Sequence, residues 1–351
     1  MPWQRGRSVM PFLFAATCAL VLLAASCKSK EAQKQVVLYC SVDQDVAEPI
    51  ILDFEEMTGV KVLARYDTEA SKTVGLIQRL RAEGSAPVAD VFWSNEIFHT
   101  IGLARDGVLA PYVSDKGPTA SPSGAPGAWP QRYADAQSRW YGFALRARVI
   151  AWSTRRVRPQ EAPRRLEDLL EAKWKGRIVM AWPQFGTTGG EVASWFAHYG
   201  PVKARAILEG LKANAVRMVE GNSTAVRMVA TGQADVAMTD TDDVYAAQRN
   251  GWPVAMNYLD QGGDGVLTIP NTVGIVKGGP NPAQARQLVD FLLSEKVERT
   301  LARSDSHNTP IRPALAAEFA GYAIPKPLAL DYEKIADQLS VAVQAAGEIL
   351  K

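Results

Sequence analysis

The chain has 351 residues, 47% hydrophobic and 22% charged, enough apolar material for two domains. Lysine and arginine number 39 against 37 aspartates and glutamates, a formal net charge of +2 that supplies no global field to recruit nucleic acid or a membrane surface. Nine tryptophans are expected in cores and domain interfaces rather than at a ligand.

In chain order, the first signal is one of export. Arg5 and Arg7 form a basic n-region, and Pro11 to Leu23 is an apolar stretch too short for a comfortable membrane span. Leu23-Ala24-Ala25-Ser26-Cys27 then places small residues ahead of a cysteine, so residues 1–26 read as a signal peptide. The motif resembles a bacterial lipobox, which makes Cys27 the lipidated first residue of the mature protein. It departs from the usual pattern by having Ala24 where leucine is expected, and cleavage by ordinary signal peptidase is the alternative. Residues 27–35 read as a polar tether, which puts the protein in the periplasm or at the cell surface, held by lipid alone. Cys18 leaves with the signal and Cys40 stands by itself on an apolar run, so the mature chain has no internal disulfide and Cys40 serves as a small buried hydrophobe.

Gln35 to Ser41 is the first expected strand, followed by a helix over Val46 to Met57 that Gly59 stops. Val60 to Tyr66 is a second strand, Lys72 to Glu83 a helix, Ala89 to Ser94 a third strand and Glu96 to Asp106 a helix ending at Gly107. That alternation means a parallel sheet with helices on both faces. Ser114 to Pro130 is a Ser/Gly/Pro-rich surface excursion. Trp140 to Ser153 is a strand long enough to run from one domain into the next. A helix begins at Leu166 to Leu170, and Ile178 to Ala181 is a strand. Helices are expected at Glu191 to Tyr199, Lys203 to Asn214 and Ser223 to Thr231. Val266 to Val276, interrupted by Pro270, reads as the strand crossing back. Pro282 to Arg303 is one helix or two, and Leu328 to Leu350 has helical spacing. The architecture is α/β, with two lobes joined through two long strands and a ligand cleft between them.

The segment that organises the chemistry is Ala237-Met238-Thr239-Asp240-Thr241-Asp242-Asp243-Val244-Tyr245. A short buried strand, Asp235 to Met238, runs into three aspartates and then a helix over Val244 to Gly251. Three carboxylates at a strand–helix junction repel one another unless water, helix N–H groups or a cation relieves them. The carboxyl ends of strands are where open α/β sheets bind ligands. The plain alternative is one helix cap with two solvated neighbours. Two further segments, Gly186-Thr187-Thr188-Gly189 and Gly221-Asn222-Ser223, lead into helices and offer N–H groups and hydroxyls to an anion, or simply cap those helices. Arg146 and Arg148, two apart on a strand, face one side and can meet the aspartates, an anion or a buried structural partner.

A wider set of segments carries a resemblance. Val37-Leu38-Tyr39, Ala47-Glu48-Pro49-Ile50, Phe54 with Thr58-Gly59-Val60-Lys61-Val62, and Ala89-Asp90-Val91-Phe92-Trp93-Ser94-Asn95-Glu96 belong to it. So do Gly142, Arg146-Ala147-Arg148-Val149, Trp174-Lys175-Gly176, Gly221-Asn222-Ser223 and Pro270-Asn271-Thr272-Val273-Gly274. Together they resemble the extracellular solute-binding proteins of ABC importers, in the ferric-iron-binding branch. The resemblance implies the two-lobed periplasmic-binding-protein fold of type II, with mixed, mostly parallel sheets. One lobe would be 36–139 with 265–315, the other 140–264, and 316–351 a helical segment packed on both. It further implies a monomer that carries ferric iron, with phosphate or carbonate as a synergistic anion, to an ABC permease and its ATPase.

The departures from that family concern the ligand. Its members usually hold iron with two adjacent tyrosines, where this chain has Asp242 and Asp243 with Tyr245 just beyond. A histidine after the first strand is replaced by Asp43, and the glutamate after the third is matched near Asn95 and Glu96. The implied metal set is therefore Asp43, Glu96, Asp242, Asp243 and Tyr245, oxygen donors only. Such a set suits ferric iron, other hard cations such as Mg²⁺, Ca²⁺ or Mn²⁺, or an organic cation. The anion side is expected to draw on Asn95, Arg146, Thr187, Thr188, Asn222, Ser223 and Asp240. A phosphorylated or phosphonate-type organic solute held at the same helix starts is the alternative cargo. No Gly-rich phosphate loop, serine nucleophile elbow or His-rich metal motif marks an enzyme, and His99, His198 and His307 lie far apart. A sensor without transport remains the other competing class.

Overall fold

A computed structural model describes residues 34–67, 74–117 and 129–351. The expected signal peptide, Cys27 and nearly all of the tether lie outside the described residues, as does most of the Ser114–Pro130 excursion. Gln35–Lys351 forms the unit whose fold follows. No helix among the described residues is long and apolar enough to cross a membrane.

β1 (Gln35–Cys40) is almost wholly buried and pairs in parallel with β2 (Lys61–Tyr66) and β3 (Val91–Ser94). α1 (Gln44–Thr58) connects the first two strands, burying Ala47, Ile50, Ile51 and Phe54 along one stripe. It ends at Gly59, whose φ of 69° closes the C-terminus and whose N–H returns to the Glu55 carbonyl. α2 (Val74–Glu83) and α3 (Phe98–Arg105) follow the second and third strands, and β4 (Leu109–Ala110) is a two-residue strand. β5 (Tyr141–Ser153) is buried at all thirteen positions.

β5 is the element around which the pairing turns. Through Tyr141–Ala147 it runs antiparallel to β10 (Thr268–Val276), which also pairs with β3 and β4. From Arg148 onward it runs antiparallel to β8 (Val236–Asp240), with Arg148 opposite Asp240, and from Val149 also to β9 (Val254–Tyr258). β6 (Ile178–Ala181) lies parallel to β8 and to β7 (Arg217–Val219), giving the order β2-β1-β3-β10-β5-β8-β6-β7. The register in β10 shifts between Pro270 and Asn271, where proline has no N–H to give the ladder.

Several elements differ from the sequence pattern for identifiable reasons. α3 begins at Phe98 rather than Glu96, because Glu96 turns back to cap it. The two helices expected over 191–214 are the later parts of α4 (Gly186–Ala213), which starts earlier and is interrupted at Gly200, where φ 79° and ψ 165° are not helical. The stretch 282–303 is two helices, α7 (Pro282–Leu292) and α8 (Glu295–Arg303), with the Ser294 hydroxyl capping the second. Residues 167–170 form a single 3₁₀ turn. β4, β7 and β9 are too short or too mixed in polarity to stand out in the sequence. Two more helices pack against β8 and its neighbours, α5 (Asn222–Ala230) and α6 (Thr241–Arg249), and α9 (Pro313–Glu318) precedes α10 (Tyr332–Ile349).

α10 packs on α4 and on α3, with Phe98 against Tyr332 at 6.1 Å between ring centres and Arg105 reaching Glu333 and Asp337. Trp93 and Trp174 are among the largest wholly buried side chains, in keeping with a core role for the tryptophans.

Candidate functional site

β8 delivers Asp240 at its last position, and the chain turns directly into α6 with Asp242 and Asp243 in its first turn. One oxygen from each of the three aspartates lies within 4.8 Å of the others. They line one pocket together with Asp43, Asn95, Arg146 and the starts of α4 and α5 at Gly186–Thr187 and Gly221–Asn222. Asp43 arrives as the residue before α1, from the opposite half of the sheet. A wider cavity of about 550 Å³ adjoins this pocket and shares Asp43, Arg146, Asp242 and Asp243 with it. α4, α5 and α6 all begin at this pocket, and none has a side-chain cap, so three positive helix ends converge there.

The aspartates differ sharply in what holds them. Asp240 is 1% exposed and both its oxygens are engaged. Arg148 Nη1 donates to Oδ1 at 2.7 Å, while Thr187 Oγ1 (2.6 Å) and Asn222 Nδ2 (3.1 Å) donate to Oδ2. Burial opposes its charge, but Arg148, Arg146 and the Thr187 hydroxyl outweigh it and hold the carboxyl below its ordinary range. Arg148 is itself buried and divides its guanidinium between Asp240 and Glu191, donating to Glu191 Oε2 from Nε at 3.0 Å and from Nη2 at 2.7 Å.

Asp242 has a different environment. Arg146 Nη1 donates to its Oδ2 at 2.8 Å, but Oδ1 is buried with no hydrogen-bond partner among the described residues. Burial, with Asp240 and Asp43 nearby, raises its pKa despite the Arg146 charge. Asp243 accepts from Thr239 Oγ1 at 3.1 Å. Arg146 is 6% exposed, also donates to the Asn95 carbonyl through Nη2, and has an unpartnered Nε. Carboxylates outnumber guanidiniums here, so the pocket carries net negative charge on one wall and faces helix N-termini on another. That arrangement suits a cation accompanied by an anion, or one molecule carrying both charges.

Of the residues expected to hold metal, Asp43, Asp242 and Asp243 are brought together, and two are not. Glu96 is fully buried but does not line the pocket; its Oε2 accepts from the backbone N–H of Phe98 at 2.7 Å and of His99 at 3.2 Å, so it serves α3 as a cap. Tyr245 faces an aromatic group, edge-on to His307 (5.3 Å) and Tyr322 (5.4 Å), with its hydroxyl 3.4 Å from that of Tyr258. On the anion side, the Thr187, Asn222 and Asp240 side chains bond one another, and Thr188 Oγ1 lies 3.4 Å from Asn222 Oδ1. Asn95 Oδ1 accepts from Ser41 Oγ at 3.2 Å, and Ser223 lines the wider cavity. The Gly189-Gly190 pair serves packing: a Cβ on Gly190 would stand 2.0 Å from the Phe98 ring and one on Gly189 2.5 Å from the Pro183 carbonyl. Glu191, which holds Arg148, lies outside the expected site residues. A lone glutamate among the small and apolar residues of Gly-Gly-Glu-Val-Ala-Ser-Trp is the available signal, since such a charge needs a buried partner.

Comparison with known proteins places residues 36–304 in a match to a family described as bacterial extracellular solute-binding protein. The chain is 27% identical over 282 residues to "Iron uptake protein A1" of Synechocystis sp., covering 78% of this chain and 75% of that one. It is 24% identical over 303 residues to the "Major ferric iron-binding protein" of Neisseria meningitidis serogroup B, covering 85% and 87%. Among solved structures, iron-bound HitA from Pseudomonas aeruginosa superposes with a TM-score of 0.77 at 24% identity, over 90% of this chain and 99% of that one, a likeness of fold.

Proposed function

The chain belongs to the bacterial extracellular solute-binding protein family, and on that premise we propose that it is the binding component of an ABC importer whose cargo is ferric iron. The cargo enters between two lobes, 36–139 with 265–315 and 140–264, and is passed to a permease driven by an ATPase; 316–351 packs on both lobes. The mature protein is a monomer tethered to a bacterial membrane by lipid at Cys27, and it performs no catalysis.

The observation that carries this reading is the buried, unpartnered Asp242 Oδ1, set beside Asp43 and Asp243 in a net-negative pocket. A buried carboxylate oxygen without a donor costs free energy until a cation or a proton meets it. Ferric iron is a hard cation that prefers such oxygens, and it is what the names of the iron uptake and ferric iron-binding relatives specify for those proteins. Asp43, Asp242 and Asp243 hold the metal, and an oxyanion such as phosphate or carbonate fills the side facing the starts of α4 and α5, with the unpartnered Arg146 Nε donating to it. Tyr245 contributes no phenolate, so the metal's affinity rests on carboxylates and the anion. The same converging helix ends favour a second cargo, a phosphorylated or phosphonate-type solute with a cationic group against the aspartates.

A thermal-shift panel on chelator-stripped protein separates the two. Ferric citrate, divalent metals, inorganic phosphate and phosphorylated amines are compared over a concentration series, because a ligand of the native state raises the midpoint by mass action. A shift with iron supports the first reading. A shift with an organic phosphate and none with any metal overturns it in favour of the second.

A further inference from the structure

Asp240 sits inside the aspartate cluster, yet both of its oxygens already accept hydrogen bonds from the protein. Its Oδ1 is taken by Arg148 and its Oδ2 by Thr187 and Asn222. The Thr187 hydroxyl is equally committed: it donates to Asp240 and accepts from Arg148 Nη1 and from Asn222 Nδ2, both at 3.0 Å. One donor and two lone pairs are all a hydroxyl has. These contacts bind the first turn of α4, which carries Thr187, to the first residue of α5, Asn222, and to Asp240 at the junction of β8 and α6. Arg148 anchors the assembly to β5 from below, with Glu191 holding its other edge.

We infer that Asp240 and Arg148 are positioning residues for the cargo's anion: they fix the three helix N-termini at one point, so that backbone N–H groups rather than the Thr187 and Asn222 side chains receive it. This rests on the proposed metal-and-anion cargo. Without the tie, the positive ends of α4 and α5 are free to separate, and the field they add at the pocket weakens within a turn's length. Asparagine at position 240 is the informative change. Its oxygen can still accept from Arg148, but its amide then faces the Thr187 hydroxyl and the Asn222 amide with a donor where an acceptor is needed.

The test uses the full chain, stripped of metal, as wild type, Asp240→Asn and the milder Thr187→Val. Amide hydrogen exchange reads the first turns of α4 and α5 without any cargo, and ferric affinity is titrated with and without inorganic phosphate. The expected result for Asp240→Asn is exchange at least about tenfold faster, confined to those turns, and loss of the gain in ferric affinity that phosphate gives wild type. Thr187→Val shows the same pattern more weakly and carries the test if Asp240→Asn fails to fold. Exchange like wild type in both variants overturns the inference, as does an undiminished phosphate gain. Uniformly faster exchange along the chain also overturns it, since that marks a general stability role. If wild type gains nothing from phosphate, the anion part of the proposed function falls, and the inferred positioning of an anion falls with it. If phosphate helps wild type and both variants alike, the function stands and only the positioning role falls.

Discussion

Asp240 and Asp242 are two residues apart, and their surroundings divide the site into two regions. Beneath the pocket, Asp240, Arg148, Glu191, Thr187 and Asn222 form a closed network in which both oxygens of Asp240 have donors. At the pocket face, Asp242 shares one oxygen with Arg146 and has the other buried and unpartnered, with Asp43 and Asp243 alongside. The electrostatics follow the same division. The Asp240 pKa is lowered, so its contribution to stability is present above the unfolded value and lost as pH falls through the folded one. The Asp242 pKa is raised, so the folded state binds that proton more tightly, and the stability it gains at acid pH is lost as pH rises. A satisfied network fixes shape, whereas an unsatisfied oxygen is held in place to meet something else.

The largest effect is expected in the buried network. Arg148→Met leaves Asp240 and Glu191 buried without their cation and is expected to cost about 3–5 kcal/mol in urea unfolding; a cost under about 1 kcal/mol would show that the network is dispensable. At the face the effect falls on binding instead. Asp242→Ala with Asp243→Ala should weaken ferric binding on the order of 100-fold, about 2.7 kcal/mol, with the circular dichroism spectrum unchanged. Glu96 belongs to neither region. Glu96→Ala uncaps α3 and should cost about 1–2 kcal/mol of stability, with ferric affinity moving less than about threefold; a large affinity loss in that folded variant would restore it to the metal set.

A carboxylate outside the cluster, Asp260, gives a smaller, pH-dependent effect. Burial, with Glu167 and Asp264 nearby, pushes Asp260 up from 3.8 to about 6. The folded state therefore binds that proton more tightly than the unfolded chain. The corresponding stability falls as pH rises between those values, by under about 1 kcal/mol once solvent screening is allowed for. Asp260→Asn should flatten the dependence of the unfolding midpoint on pH in that window. The smallest change expected is Tyr245→Phe, which keeps the ring against His307 and Tyr322 and removes only a hydroxyl facing Tyr258. Ferric affinity should stay within about twofold, and a tenfold loss would mean that the phenol takes part in binding.

Much of the fold was legible because burial left strong periodic marks. The thirteen buried residues of β5 and the apolar stripe of α1 appear directly as patterns of side chains. β4, β7 and β9 did not, because two to five residues of mixed polarity carry no period. The site was legible as an inventory of charges at the end of β8, and Asp43 lines the same pocket. What one sequence does not give is the direction of each side chain. Glu96 stands beside Asn95, which lines the pocket, but its carboxylate meets the open end of α3 first. Tyr245 follows Asp242 by three positions, yet the His307–Tyr322 stack takes its ring. A helix start and a strand end make Thr187 and Asp240 look ligand-facing, because the residue that engages both, Arg148, comes from a strand about 40 and 90 residues away in the chain.

Capture of a cation by the carboxylate face can be read in solution. Calorimetric titration of the chelator-stripped protein with ferric nitrilotriacetate, alongside the Asp242→Ala, Asp243→Ala double variant, tests it most directly. Saturable one-to-one binding by wild type is expected, with affinity about 100-fold lower in the double variant. Equal binding by both proteins, or no binding by wild type while a phosphorylated amine binds to it, would contradict it.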